Sequence, residues 1–211
     1  MRPNIFITAG HSTKSPGALG YDGIVEHTRN TYLQKLIVED KKSFISYEGT
    51  SINTISDEDT QTLSQVISLI NKNSTPKSRG LDIHFNNNNP AATGTEIIIS
   101  PLTSEENKRR ATFMVRNISN LLDLRIRRRA DDRDYMYPEE TPRGKLAIIN
   151  NTKIPYILYE VCFLNNRDLP KYIGKEKEVA TILREAMAKF SFTDIGSENQ
   201  ISSVFVQKFK L

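Results

Sequence analysis

Apolar residues occur along the chain in short blocks of two kinds, which predict strands and helices in alternation. Blocks that are continuously apolar, or alternate with polar residues, predict strands at residues 4–9, 44–48, 81–85, 96–99 and 155–163. Apolar spacing of three to four residues predicts helices over 24–40, 103–124 and about 167–190. A further helix is predicted to carry Leu63, Val66, Ile67 and Ile70 and to end near Asn73. Each strand is too far from the next for a hairpin. The pattern therefore predicts an α/β fold, a mostly parallel twisted sheet of about five to six strands with helices on both faces.

Two helix starts have recognisable caps in the sequence. Ser56 or Asp57 is expected to cap the second helix. Thr103 and Glu106 have the spacing of a capping box for the third.

Length and composition predict one domain with a tail. Of the 211 residues, 37% are hydrophobic, which supplies a buried core. We expect a catalytic domain over residues 1–195 and a C-terminal appendage of unknown role over 196–211. No apolar run approaches the roughly 20 residues that a membrane span needs, and no apolar leader follows Met1. The single cysteine, Cys162, excludes a disulfide framework within the chain and a cysteine-rich zinc site.

Polar residues of metal-binding or catalytic type lie where the predicted strands end. His11, His84 and Glu160 each end a strand, and Glu26 starts the first helix. Sheets of this class bind ligands at the carboxyl ends of their strands. Three of the four side chains are suitable ligands for a tetrahedral zinc ion, and the fourth for a general base. Taken singly, each has an ordinary structural explanation, although a carboxylate ending an apolar strand is costly unless it is paired or metal-bound.

Several segments together resemble the zinc-dependent N-acetylmuramoyl-L-alanine amidases known as amidase type 3, from about residue 4 to 190. The segments that carry this resemblance are Ile7–His11, Glu26, Asp82–Asn86, Gly94–Glu96 and Pro155–Asn166. The chain departs from the family pattern at Ser12-Thr13, where glycines are frequent, and at Cys162, where glycine is usual.

The resemblance implies a site and an activity. His11, Glu26 and His84 would bind one zinc ion, Glu160 would be the catalytic carboxylate, and Asn86 would contact substrate. The expected reaction is hydrolysis of the amide between N-acetylmuramic acid and L-alanine in peptidoglycan. The alternatives are another zinc hydrolase such as a carboxypeptidase, or a non-enzymatic basic protein that binds nucleic acid or wall polymer.

The expected partner is peptidoglycan, with no nucleic acid and no membrane span, and the chain is expected to be a monomer. With no signal peptide, it is expected to be made in the cytoplasm and to reach the wall after release, as a phage or prophage endolysin does. A mother-cell enzyme, or a product with a misassigned start, is the alternative.

Three further features have mainly structural interpretations. His27, next to Glu26 on the helix, is expected to face solvent. Cys162 is expected to share the face of Glu160 and to pack there rather than act as a nucleophile. The charged residues between Arg125 and Asp134 mix both signs within a net charge of +4, which favours a solvated ion-pair cluster over a contact for anionic substrate.

Overall fold

The computed structural model describes residues 4–39, 53–87, 91–101, 103–127, 131 and 133–188. Its centre is a five-stranded sheet in the order β2-β1-β3-β5-β4. The strands are β1 (Asn4–Ala9), β2 (Asn53–Ser56), β3 (Arg79–Asn86), β4 (Glu96–Ile99) and β5 (Tyr156–Phe163). The first four in the sheet order are parallel, and β4 is antiparallel to β5. The predicted fold class is confirmed, whereas the strand predicted at 44–48 lies outside the described residues.

The reversed direction of β4 follows from its connection to β3. A parallel crossover needs a dozen or more residues, but only residues 87–95 separate the two strands. The chain therefore cannot return to the opposite end of the sheet before β4 begins. As a result, the start of β4 pairs with the second half of β5, with Glu96 opposite Glu160.

Helices cover both faces of the sheet. They are α1 (Glu26–Glu39), α2 (Leu63–Asn73), α3 (Glu105–Leu122), α4 (Ala147–Asn151), α5 (Leu169–Tyr172) and α6 (Glu176–Ala188). Apolar residues of α1, α3 and α6 share one core cluster with one face of the strands, and those of α2 and α4 share a second cluster with the other face. Both faces of the sheet are buried against apolar side chains, which explains why the strands are nearly continuous apolar runs.

Two predicted caps are wrong. The N-cap of α2 is Thr62, whose hydroxyl accepts a hydrogen bond from the Gln65 backbone, because Ser56 is still in β2. The Asp57 carboxylate instead accepts a hydrogen bond from the Ala9 backbone at 3.0 Å. The N-cap of α3 is Ser104 rather than Thr103, so the predicted capping box with Glu106 is absent.

The predicted last helix is two helices. Gly174, with φ of 87°, ends the turn of α5 before α6 begins at Glu176. A left-handed backbone conformation is incompatible with a continuing helix and favours glycine. Within the described part of the chain, no helix is long and apolar enough to cross a membrane.

Candidate metal centre and active site

His11 is positioned by a tight turn at the end of β1. Its φ is 71°, a left-handed conformation that is uncommon for residues other than glycine. The preceding residue, Gly10, is fixed on two sides: its N–H donates to the Ile83 carbonyl at 2.8 Å, and its carbonyl accepts from the Asn30 amide at 2.7 Å. The strained turn is therefore held by both β3 and α1, and it directs the imidazole towards the start of α1.

Glu26, the first residue of α1, connects the two histidines. One carboxylate oxygen, Oε2, lies 3.1 Å from His11 Nε2, and the other, Oε1, lies 3.0 Å from His84 Nδ1. The backbone N–H groups of Ala18 and Phe85 also donate to these oxygens, each at 3.2 Å. Burial alone would raise the pKa of Glu26, but the hydrogen bonds from both histidines hold it well below its usual range. Glu26 is therefore a buried carboxylate that stays ionised.

His84 lies between two carboxylates. Its Nδ1 atom faces Glu26, and its Nε2 atom is 3.2 Å from Asp82 Oδ2 on the same face of β3. Asp82 in turn accepts a hydrogen bond from the Thr8 hydroxyl at 2.6 Å. Burial would lower the pKa of His84, but Asp82 and Glu26 raise it well above its ordinary value. The orientation of the ring is thus fixed from both sides.

Three of the predicted site residues form one cluster. Each of these residues, His11, Glu26 and His84, contributes one donor atom, and the three atoms lie within 4.8 Å of one another. The two imidazole rings meet edge to face, with centroids 5.1 Å apart. This convergence joins the end of β1, the start of α1 and the end of β3, which are far apart in sequence.

Glu160, the fourth predicted residue, lies opposite His84 in the register of β3 and β5. Its Oε2 atom is buried and has no hydrogen-bond partner among the described residues. Burial raises the pKa of Glu160 to about 8; His84 opposes this rise, and the carboxylates of Glu26, Glu96 and Asp82 add to it. The carboxyl group therefore titrates close to neutral pH, the range in which general acid–base catalysis operates.

The cluster fits a divalent cation with nitrogen and oxygen ligands. Two imidazoles and a carboxylate are a donor set typical of zinc sites that keep a position open. A Cβ atom on Gly10 would lie 2.2 Å from the His84 ring, and one on Gly17 would lie 2.6 Å from Glu26 Oε2, so both glycines leave the space that the ligands occupy. The surrounding carboxylates and the unpartnered oxygen of Glu160 also favour a positive charge here.

Asn86, the predicted substrate contact, is the last residue of β3, two residues beyond His84. Its amide donates to Glu96 Oε1 at 2.8 Å, and no described contact joins it to His11 or Glu26. Its role towards substrate stays a prediction.

Two other sequence predictions need correction. His27 is only 7% exposed rather than facing solvent, because the loop before α1 folds back over it and Pro16 accepts a hydrogen bond from its backbone. Cys162 is buried as predicted, but it packs in the same core cluster as Tyr159 and Val161. The register shift between His84 and Asn86 breaks the alternation that placed Cys162 on the face of Glu160.

The charged segment after α3 forms ion pairs in its described part. Arg133 pairs with Glu140 and Asp131, and Arg127 Nε lies 2.5 Å from Glu96 Oε2. Arg128, Arg129 and Asp132 lie outside the described residues. The interpretation as ion pairs is confirmed for Arg127, Asp131 and Arg133, and for Asp134, which pairs with Arg116. Arg125 instead donates to the Thr93 carbonyl.

Three supporting residues were not singled out from the sequence. They are Asn30, which fixes Gly10; Asp82, which fixes His84; and Glu96, the register partner of Glu160. The available signals were the helical spacing of Asn30 from Glu26 and the alternation that places Asp82 beside His84. No short-range pattern links Glu96 to Glu160.

A His–Glu–His cluster with a nearby carboxylate at the carboxyl end of an α/β sheet is characteristic of metal-dependent hydrolases. The family model for N-acetylmuramoyl-L-alanine amidase matches residues 5–189, and the chain belongs to this family. No curated protein matches the sequence.

Solved structures of amidases and of an endolysin catalytic domain share the fold. The catalytic domain of CwlV, an amidase from Bacillus (Paenibacillus) polymyxa var. colistinus, is 22% identical with a TM-score of 0.67, covering 88% of this chain and 96% of its own. An N-acetylmuramoyl-L-alanine amidase from Clostridium difficile 630 is 18% identical with a TM-score of 0.69, covering 88% and 94%. The catalytic domain of an endolysin targeting Clostridia difficile is 20% identical with a TM-score of 0.62, covering 88% and 97%.

Proposed function

We propose that this protein is a zinc-dependent hydrolase of the amide bond between N-acetylmuramic acid and L-alanine in peptidoglycan. Membership of the amidase family supports the bond and the polymer. The observation that carries the proposal is the convergence of His11, Glu26 and His84 within 4.8 Å, opposite Glu160 in the sheet register.

His11, Glu26 and His84 would hold the zinc ion. When bound, zinc supplies Lewis-acid chemistry, which polarises the scissile carbonyl and acidifies the attacking water. Glu160 accepts the proton of that water as its oxygen attacks the carbonyl carbon. Glu160 then delivers the proton to the amide nitrogen as the carbon–nitrogen bond breaks, so that L-alanine leaves with a free amino group. Its buried, otherwise unpartnered Oε2 atom is free to make this transfer.

Two measurements on the purified protein test this function. Metal analysis should find one zinc ion per chain, and incubation with purified peptidoglycan should release free amino groups without release of reducing sugars. The Glu160→Gln variant keeps the shape of the side chain but removes the proton acceptor, so it should retain zinc and lose at least roughly 10²-fold in turnover. Glu105→Gln, at the exposed start of α3, is the matched control.

Three outcomes would contradict parts of the proposal. Loss of zinc in Glu160→Gln would make Glu160 a ligand and leave the base unidentified. Full turnover in that variant would remove Glu160 from the reaction. Reducing sugars without free amino groups would assign the cleavage to the glycan strand instead.

The setting we propose is lysis of a bacterial wall by a phage or prophage endolysin, acting as a monomer, with residues 196–211 as an appendage to the catalytic domain. The similarity of fold to an endolysin catalytic domain supports this setting. Expression in a bacterium together with a membrane-permeabilising protein should cause lysis, and expression alone should not. Lysis without the second protein would contradict the setting but leave the activity untouched.

A further inference from the structure

A group of side chains adjoins Glu160 on the side of the sheet away from His11. Glu96 is the direct register partner of Glu160 in the antiparallel pair of β4 and β5, so the two carboxylates lie on the same face. Glu96 Oε1 accepts from the Asn86 amide at 2.8 Å, and Oε2 accepts from Arg127 Nε at 2.5 Å. Both oxygens of the Glu96 carboxylate are therefore fixed by hydrogen bonds, and the positive charge of Arg127 offsets its negative charge.

Arg127 is fixed in place although its side chain is about one third exposed. Its backbone N–H donates to the Thr95 carbonyl at 2.9 Å, and its guanidinium carbon lies 5.0 Å from the centroid of the Phe163 ring. Only Nε is used in the contact with Glu96; among the described residues, no group accepts a hydrogen bond from Nη1 or Nη2. The open end of the guanidinium thus keeps the planar pair of donors that binds a carboxylate through two parallel hydrogen bonds.

The location of Arg127, next to Glu96 at the edge of the sheet, suits the second residue of the substrate's peptide stem. The amide that the proposed reaction cleaves belongs to L-alanine, and the next residue of the peptide stem carries an α-carboxylate, which some walls amidate. One residue of extended chain spans about 3.3–3.6 Å, which is short of the roughly 4.8 Å between neighbouring strands, but the Arg127 side chain reaches back to Glu96 on β4. A stem that runs from its scissile amide at Glu160 towards β4 therefore places the α-carboxylate of its second residue on the side of Arg127.

We propose that Arg127 binds the α-carboxylate of the second residue of the peptide stem, and that it makes the enzyme prefer stems in which this carboxylate is free. This inference rests on the proposed function and adds the substrate class to it. Glu96 and Phe163 act by positioning the guanidinium, which reduces the entropy lost when the substrate binds. An amidated stem offers one acceptor and no charge, so it loses the charge-assisted pair.

The test compares two soluble substrates that differ only at this group, muramoyl-L-alanyl-D-glutamate and its amide, muramoyl-L-alanyl-D-isoglutamine. The wild-type enzyme should hydrolyse the free acid with a kcat/KM at least about ten-fold higher, the size expected for one charged hydrogen-bonded contact. In Arg127→Gln the ratio of the two kcat/KM values should fall close to one. Arg127→Lys, which keeps the charge but not the planar fork, should retain a smaller preference in the same direction.

Arg125→Gln is the matched control, because Arg125 is two residues away, exposed, and donates through Nε to the Thr93 carbonyl rather than to Glu96. It should leave the substrate ratio unchanged. Equal activity of the wild-type enzyme on both substrates would overturn the inference, as would an equal loss on both in Arg127→Gln. If the wild-type enzyme hydrolysed neither of the two substrates, the proposed function itself would be overturned, and the inference with it.

Discussion

Several residues of this site carry charges that are buried. Burying any one of them without a partner would destabilise the fold, and the charges are tolerated because they offset one another. Glu26 is 4% exposed, and its carboxylate is balanced by two imidazoles and two backbone N–H groups. Removing one member leaves the others with unpaired charge, which costs more than the lost contact itself. Substitutions at this scale should therefore affect metal binding before they affect the sheet.

The first prediction concerns the ligand role of His84. His84→Ala should reduce bound zinc from one equivalent to near zero, because a carboxylate and one imidazole remain and two ligands hold the ion poorly. Metal analysis after dialysis against a weak chelator measures this. His27→Ala is the control, since His27 is the remaining histidine and lies outside the donor cluster. A full equivalent of zinc in His84→Ala would refute the assignment.

The second prediction concerns Asp82 as a positioning residue. Its carboxylate fixes the Nε2 side of His84 and is itself fixed by Thr8. Partners of this kind typically contribute 10- to 100-fold to metal affinity. Asp82→Asn should therefore weaken zinc affinity by about that factor, measured by competition with a chromophoric chelator. Asp59→Asn, an exposed carboxylate of the loop before α2, should leave the affinity unchanged. Unchanged affinity in Asp82→Asn would show that Asp82 only packs beside His84.

At the scale of elements, the site depends on how closely β1 approaches β3. The two strands are parallel neighbours, and the turn after β1 lies directly against the His84 ring. Gly10 permits this approach because it has no side chain to place between the strand and the imidazole. The requirement at Gly10 is thus steric, whereas the left-handed Gly17 also needs a special backbone conformation.

The third prediction follows from this contact. A methyl group at position 10 would lie 2.2 Å from the His84 ring, so Gly10→Ala should displace the imidazole. We expect lost zinc affinity and a decrease of about 1–3 kcal/mol in the free energy of unfolding, the usual cost of overpacking. Denaturant unfolding and metal titration measure the two effects.

Gly23→Ala provides the comparison for that change. Its φ is 80°, so alanine is strained there, but no atom lies within 4 Å of the added methyl. This variant should lose stability without losing zinc affinity. Equal zinc affinity in both variants would contradict the steric role of Gly10.

At the scale of the whole molecule, the half-buried carboxylate of Asp57 ties the sheet to α1 away from the metal ligands. Asp57 follows β2, accepts a hydrogen bond from the Ala9 backbone at 3.0 Å, and contacts the Gln34 amide of α1 at 2.5 Å. Burial raises the pKa of Asp57 to about 6; the Ala9 N–H opposes this rise, and the charge of Asp82 adds to it. The protonated form is therefore the one that suits the folded protein.

The fourth prediction is the resulting pH dependence of stability. Because the pKa of Asp57 is about 6 in the folded state and near 4 when unfolded, its contribution is fully present below about pH 4 and is lost as the pH rises through 6. In Asp57→Asn the group no longer titrates. The free energy of unfolding of the wild type minus that of the variant should thus fall between about pH 4 and pH 7.

Denaturant unfolding of the metal-free proteins, with chelator present, measures this difference. Asp59→Asn changes the same charge at an exposed position and should show no such fall over this pH range. A difference that rises with pH would mean that Asp57 is stabilised as a carboxylate.

Much of the architecture was already determined by the sequence. The spacing of apolar residues is a local property of the sequence. It therefore predicted the positions of β1, β3, β4, β5 and the central parts of α1 and α3 to within a few residues. Helix ends were less predictable, because several hydroxyl residues near α2 and α3 are suitable caps. At α2, Ser56 cannot serve as the cap because it still belongs to β2. The break at Gly174 and the burial of His27 depended on how loops fold back over the helices.

His11, Glu26, His84 and Glu160 could be named as candidates from the sequence because their positions, near strand ends or at a helix start, matched a family pattern. The sequence by itself thus determined which side chains stand at the ends of which elements, since that depends on local periodicity. Only the tertiary structure decided that three of their donor atoms converge within 4.8 Å and that Asp82 and Asn30 support them. The register shift between β3 and β5 and the contact of Arg127 with Glu96 also depend on strand pairing, which joins residues far apart in the chain.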